Sequence, residues 1–316
     1  MNRSLTAIQG VKVGHAQSED VQTGVTVVLF DRPYTCSLDA RGGWPSVYES
    51  ESSNVGKRFY KKDAIFFCGG DVIGFDTSKG IRKFLMDQKR DSILPGELPS
   101  ITGAGIYDVT DKRFYEVDYE ELGYLASQNA SQKPVREGSI GAGFGATVGK
   151  LMGRDLSSEG GIGSYNLKII GGYNVGCIVV TNSLGNIYDT NSNKIIAGTR
   201  NSGRGDKFLT LDDVSKVFLY NKKHNISKNV KKATTLGIVV TDAALSHEEI
   251  IRLSTVAHDG LARAIKPVHM SRDGDTIFAV STGKIEISED RSALTDIINE
   301  AACDCLSEAI VRSVSK

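Results

Sequence analysis

Cysteine, proline, net charge and long apolar runs are all scarce or absent in this sequence, and each shortage removes a class of protein. The 316 residues carry five cysteines, Cys36, Cys68, Cys177, Cys303 and Cys305. Their number is odd and their spacing irregular, with no CxxC pair and no zinc-type pattern with histidine, so a disulfide scaffold and a structural zinc are not expected. They read as reduced thiols, mostly small core residues. Lys plus Arg equals Asp plus Glu, 38 of each. A chain of zero net charge lacks the electrostatic footprint of a nucleic-acid binder, and local basic pairs such as Lys222-Lys223 and Lys231-Lys232 read as solvated loop. No apolar stretch approaches the roughly 20 residues of a membrane span. No apolar run follows Met1-Asn2-Arg3-Ser4, so no signal peptide is expected. A soluble, cytoplasmic protein without membrane or nucleic-acid partners is the expectation.

What is present points to an α/β protein. Glycine is frequent, 34 residues against six prolines, and clusters at Gly42-Gly43, Gly69-Gly70, Gly160-Gly161 and Gly171-Gly172. Such pairs suit tight turns beside strands, where backbone approaches backbone. Residues 23–30 (TGVTVVLF), 63–68 (DAIFFC), 173–182 (YNVGCIVVTN), 234–240 (TTLGIVV) and 275–281 (DTIFAVS) read as strands. Residues 75–88, 119–130, 211–220 and 292–315 read as helices. Ser246 with Glu249 is a capping box that opens another helix, with Ile250, Leu253, Val256, Ala257 and Leu261 at helical spacing. Residues 221–232 carry few apolar side chains and read as an exposed loop. Strands and helices alternate, which predicts two sheets or one large mixed sheet layered with helices.

The common catalytic motifs fail. The run GATVGKL at 145–151 is one residue short for a phosphate-binding loop, and Leu151 stands where a Ser or Thr should meet magnesium. The run GAGFG at 141–145 has the wrong dinucleotide spacing. There is no GxSxG elbow around Ser139. His15, His224, His247, His258 and His269 form no HExxH pair, and each taken alone reads as a structural histidine.

One junction stands out. A polar, basic stretch ends abruptly at Ala233, and the strand signal begins with Thr234-Thr235-Leu236. Threonine starts many strands, so this alone indicates little. Downstream, GLARA at 260–264, PVH at 267–269 and DGDT at 273–276 follow. Upstream stand GVTVVL at 24–29, RGGWP at 41–45, Gly69-Gly70 with GFD at 74–76, GAGFGATVGK at 141–150, GGIGS at 160–164 and VVTNSLG at 179–185. In this order the blocks resemble the self-processing aminopeptidase/amidase family of L-aminopeptidase D-esterases, β-peptidyl aminopeptidases and nylon-oligomer hydrolases. The resemblance covers nearly the whole chain.

The resemblance implies a four-layer αββα sandwich of the DmpA/ornithine acetyltransferase-like type, one domain over 1–316, homo-oligomers of four or more chains, and no metal or organic cofactor. It implies self-cleavage between Ala233 and Thr234 into an α chain 1–233 and a β chain 234–316, followed by hydrolysis of short peptides or aminoacyl amides and esters. The chemistry is intelligible in itself. A threonine hydroxyl needs a base beside it. Cleavage would give Thr234 a free α-amino group, with a pKa of about 7.7–8.0, able to accept the hydroxyl proton directly or through water. By the same resemblance, the Tyr107 hydroxyl helps form an oxyanion hole, a donor worth roughly 3–4 kcal/mol of barrier. Asn182 would bind and orient, and Lys150 would lower the amine pKa by like-charge proximity. Asp273 and Asp275 would hold the nucleophile and its ammonium, and their spacing of two suits a strand with both on one face.

Several residues depart from the family pattern: Trp44, Asp71-Val72, Ala233 and Met270. Trp44, Tyr48 and Asp71 fall in loops expected near the substrate pocket, so specificity stays open. Two other readings also stay open: an ornithine-acetyltransferase-like acyltransferase, and an unprocessed, non-catalytic binding protein of the same fold.

Overall fold

The computed structural model describes residues 2–315 except 58–59, 89–97, 110–111, 203–204, 206, 224–231 and 289. Among the described residues, the strands that build the framework are β1 (Val11–Ser18), β2 (Thr23–Ala40), β3 (Val47–Tyr48), β4 (Lys61–Cys68), β5 (Ile101–Gly105), β6 (Gly161–Lys168), β7 (Asn174–Asn182), β8 (Thr234–Ala243) and β9 (Thr276–Ile285). They form one mixed sheet in the order β3-β5-β4-β2-β9-β8-β7-β6, with β1 antiparallel to β2. The helices are α1 (Thr77–Asp87), α2 (Tyr119–Gln128), α3 (Leu211–Lys223), α4 (His247–Val256), α5 (His258–Ala264) and α6 (Arg291–Val314).

The 18-residue β2 makes this single sheet into two layers. Its first half, from Thr23 to Leu29, pairs with β1 and β4. Its second half, from Thr35 to Ala40, pairs with β9. Because side chains alternate across a strand, each half presents one row to a helix layer and one row to the middle. Val25, Val27 and Leu29 join Ala64, Phe66 and Cys68 beneath α1 and α2. Val28, Phe30, Ile65 and Phe67 face Ile178, Val180, Leu236, Ile238, Val240, Phe278 and Val280 in the centre. On the far side, Val175, Cys177, Val179, Val239, Ile277 and Ala279 pack beneath α4, α5 and α6. The architecture is therefore the αββα sandwich, helices outside and two sheet layers within. Each fully buried aromatic or branched side chain in the middle contributes about 1.5–3 kcal/mol.

Local signals explain the element ends. Ser246 accepts from Glu249 N–H, and the Glu249 carboxylate returns the bond to the Ser246 N–H. Asp118 and Asp290 cap α2 and α6 by accepting from Glu121 N–H and Ala293 N–H. Gly163 lets α6 lie directly on β6, since a Cβ there would meet the Ala309 carbonyl oxygen at 1.9 Å. All five cysteines are buried and unpaired.

Two readings need correcting. The helix expected over 211–220 continues to Lys223, so the expected loop loses its first three residues, and 224–231 lies outside the described residues. Asp273 and Asp275 do not share a strand: residues 271–272 turn, Asp273 makes only an isolated bridge, and β9 begins at Thr276. Gly274 supplies the room for that turn.

Candidate active site

Thr234 is the first residue of β8, held between two neighbours. On one side β7 runs antiparallel, with Asn182 directly opposite Thr234. On the other side Ala233 bridges to Asp273 in parallel sense. The junction is thus not an exposed end of a loop. Ala233 is 1% exposed and Thr234 4%.

The backbone around the Ala233–Thr234 bond is fully engaged. Ala233 N–H donates to the Arg272 carbonyl at 3.0 Å, and Gly274 N–H donates to the Ala233 carbonyl oxygen at 2.9 Å. The Thr234 hydroxyl also donates to that oxygen, at 2.6 Å. The hydroxyl and one backbone N–H therefore converge on a single buried carbonyl. A Cβ at position 274 would lie 2.8 Å from Thr234 Oγ1, so only glycine leaves the hydroxyl its place.

The two aspartates converge from the turn. Asp273 accepts from Met270 N–H at 2.8 Å and Leu184 N–H at 3.4 Å. Its carboxyl is pushed up to about 7, first by burial and then by the charge of Asp275. Asp275 accepts from Thr235 N–H at 2.8 Å through one oxygen. Its other oxygen accepts from His269 N–H at 3.0 Å and lies 2.9 Å from His269 Nδ1. His269 had read as structural. Its left-handed backbone, φ 57°, turns both its N–H and its ring onto Asp275. Its sequence signals are its place in the PVH block and its position six residues ahead of Asp275.

Lys150 and Asn182 form the opposite wall. Lys150 is 2% exposed. Its ammonium donates to the Asn182 backbone oxygen at 2.7 Å and also to the Asn182 side-chain oxygen. That side-chain oxygen accepts from Thr147 N–H, and the amide nitrogen donates to the Tyr107 carbonyl at 3.2 Å. Burial holds the Lys150 amine well below its usual range, with Arg154 adding to it; Asp273, Asp108 and Asp275 pull the other way. A neutral amine is thereby brought closer to working pH. Tyr107 meets this wall through its carbonyl, while its ring faces Lys232, whose Nζ is 5.4 Å from the ring centroid.

All six residues singled out in the sequence, Tyr107, Lys150, Asn182, Thr234, Asp273 and Asp275, thus fall in one hydrogen-bonded neighbourhood. Two contributors had no side-chain signal to find: the Gly274 N–H and the Leu184 N–H. Of the three pocket candidates, Trp44 and Asp71 lie with Lys232 beside the site. Tyr48 does not. It packs against Phe66 and Phe75, with ring centroids 5.8 and 5.6 Å away, because β3 closes the edge of the sheet there.

The chain is similar to known proteins along nearly its whole length. The model of peptidase family S58 matches residues 3–316. An uncharacterized aminopeptidase of Mycobacterium leprae is 32% identical over 337 residues, covering 98% of this chain and 90% of the relative. A 6-aminohexanoate-oligomer endohydrolase of Paenarthrobacter ureafaciens is 26% identical over 313 residues, covering 95% of this chain and 84% of that one. Among solved structures, the L-aminopeptidase D-Ala-esterase/amidase of Ochrobactrum anthropi, described as a variant of the Ntn hydrolase fold, superposes with a TM-score of 0.69 at 18% identity. It covers 98% of this chain and 85% of that one. A Burkholderia sp. β-aminopeptidase gives 0.66 at 19%, covering 99% and 86%.

Proposed function

Because this chain belongs to peptidase family S58, we propose that it is a self-processing N-terminal-nucleophile hydrolase that cleaves amide bonds of short peptides or aminoacyl amides through an acyl-enzyme on Thr234. The observation that carries the reading is the Ala233 carbonyl, buried and held jointly by the Thr234 hydroxyl and the Gly274 N–H.

That arrangement supports self-cleavage. Thr234 Oγ1 attacks the Ala233 carbonyl carbon. The carbonyl oxygen gains negative charge, and the Gly274 N–H already points at it, so no donor has to reorganise during the step. The hydroxyl proton passes to a nearby acceptor. Lys150, whose burial favours the neutral amine, and Asp273, poised near 7, are the two candidates. The carbon–nitrogen bond then breaks, the Thr234 nitrogen takes up a proton, and Ala233 becomes an ester on Oγ1. Water hydrolyses the ester. The products are a carboxylate on Ala233 and a free α-amine on Thr234, ending chains 1–233 and beginning 234–316.

The second reaction repeats the first on a substrate. The scissile carbonyl takes the place of the Ala233 carbonyl, under the Gly274 N–H and, by the family resemblance, the Tyr107 hydroxyl. The new α-amine serves as the base. Asn182 and Asp275 fix the strand ends on either side, which holds the nucleophile within the narrow range of approach that such attack needs.

Intact mass spectrometry under denaturing conditions tests the reading. Wild-type protein is expected to give two fragments divided between Ala233 and Thr234, and Thr234→Ala a single full-length mass. A wild-type chain that stays whole after long incubation would refute it.

A further inference from the structure

Lys232 precedes the proposed cleavage point by one residue, and its ammonium is unusually well accommodated. Its Nζ sits 4.0 Å from the ring centroid of Trp44 and 5.4 Å from that of Tyr107. Asp71 Oδ2 lies 3.5 Å away. Two aromatic faces and a carboxylate around one ammonium make a cation-binding arrangement.

Each wall is tied by backbone to the reacting groups. Trp44 N–H donates to the Asp273 carbonyl at 2.8 Å. The Tyr107 carbonyl accepts from Asn182. Asp71 adopts a left-handed φ of 56° and donates its N–H to the Ile106 carbonyl, next to Tyr107. A non-glycine residue in that region is uncommon and costs energy that the surroundings must offset. Trp44 is 56% exposed although its backbone is anchored. An anchored but exposed tryptophan facing a carboxylate held in a rare conformation suits a ligand better than it suits a core.

We propose that Trp44, Tyr107 and Asp71 form a subsite for a primary ammonium carried on the acyl part of the substrate, remote from the scissile carbonyl, and that Lys232 fills this subsite in the uncut chain. The inference rests on the reading that the Ala233–Thr234 bond is cut, since that cut unties Lys232 and opens the subsite. Lys232 lies on the acyl side of the bond, so the group replacing it belongs to the acyl side as well. An α-ammonium adjacent to the scissile carbonyl would fall elsewhere, where Ala233 N–H meets the Arg272 carbonyl. The subsite therefore selects a longer reach: the terminal ammonium of an ω-aminoacyl chain, or a lysine side chain one residue further from the bond.

Trp44 is the single tryptophan of the chain, so its fluorescence reads the subsite directly. The double variant Lys232→Ala/Thr234→Ala vacates it without requiring cleavage. Titration with 5-aminopentanamide or with N-acetyl-lysinamide should change the emission saturably, and whichever binds tighter identifies the source of the ammonium. Pentanamide should not produce the change. Adding Asp71→Asn, which tolerates the same left-handed backbone, should weaken the ammonium ligand roughly ten-fold. An equal response to pentanamide, no response to either amine, or an affinity unmoved by Asp71→Asn would each overturn the subsite. Processed enzyme should in parallel show a lower KM for 5-aminopentanoyl than for pentanoyl anilide. A saturable amine response in the double variant, beside a wild type that never splits, would refute the nucleophile reading and leave the subsite standing. Splitting without an amine response would do the reverse.

Discussion

Thr234 stands directly opposite Asn182 in the antiparallel pair of β7 and β8, and Asn182 carries the buried Lys150 ammonium on both its backbone and side-chain oxygens. The strand that presents the threonine is therefore registered against the residue that holds the lysine. Disturbing either partner should have different consequences for stability and for processing.

Asn182→Ala removes an acceptor from a buried amine and leaves Thr147 N–H and the Tyr107 carbonyl without their partner. It should cost about 2–3 kcal/mol, the penalty for a stranded buried polar group with charge. Lys150→Met keeps the volume and removes the amine, so it should cost less than roughly 1 kcal/mol or even stabilise. It should nevertheless slow self-cleavage strongly. Denaturant unfolding in the Thr234→Ala background and a mass time course in the native background check the two halves separately. A lysine variant that processes at the wild-type rate would remove Lys150 from the mechanism.

Gly274→Ala should block processing more than folding. The added Cβ would lie 2.8 Å from Thr234 Oγ1 and 2.7 Å from the Trp44 carbonyl oxygen. Displacing the hydroxyl by even part of an ångström should lengthen the half-time of self-cleavage by roughly 100-fold. Circular dichroism should show a folded protein while the full-length band persists on a denaturing gel.

Asp275→Asn should uncouple β8 from the turn before β9. One oxygen of Asp275 accepts from Thr235 N–H, and the other serves His269 N–H and its ring. An amide replaces one acceptor with a donor, which leaves the His269 N–H facing another N–H. The expected loss is about 1–3 kcal/mol. Adding His269→Ala should then cost less than it does alone, with a coupling of at least about 0.5 kcal/mol in a double-mutant cycle. Strict additivity would mean that the contact contributes nothing.

Stability should depend on pH in two opposed ways. Burial lowers His258 from 6.5 to about 4. A histidine so depressed binds fewer protons folded than unfolded, so its contribution is present above 6.5 and is lost as the pH falls toward 4. His15, also lowered to about 4 by burial, acts in the same direction. Asp273, raised to about 7, does the opposite: its contribution is present below about 3.8 and is lost as the pH rises through 7. Urea unfolding from pH 4 to 8 should therefore show a shallower acid limb in His258→Asn. Asp273→Asn should gain on the wild type by a few kcal/mol between pH 5 and 8. Parallel curves for wild type and variant would reject the respective assignment.

The sequence alone determined that buried strands and amphipathic helices alternate, because each has a composition or period that can be read, while the four-layer sandwich came only from the family resemblance. The apolar run of Val25, Val27, Val28, Leu29 and Phe30 is visible without coordinates, and so are the Ser246–Glu249 cap and the apolar stripe of α4. Thr234 was legible as the start of a buried strand after a basic stretch, though by itself that pattern only says that a strand begins. Lys150, Asn182, Tyr107, Asp273 and Asp275 came from the order of short blocks along the chain, since no local spacing marks any of them. What the tertiary structure decided is how these groups meet. Lys150 and Asn182 are 32 residues apart, and Thr235 and Asp275 are 40. They meet because β2 spans both sheet layers and β8 is laid between β7 and β9. The turn at Gly274, the N–H it aims at the Ala233 carbonyl and the seat of Lys232 between Trp44 and Asp71 involve backbone groups and distant loops. A backbone N–H is the same in every residue but proline, so its direction leaves no trace in the sequence and is set only when the strands pack.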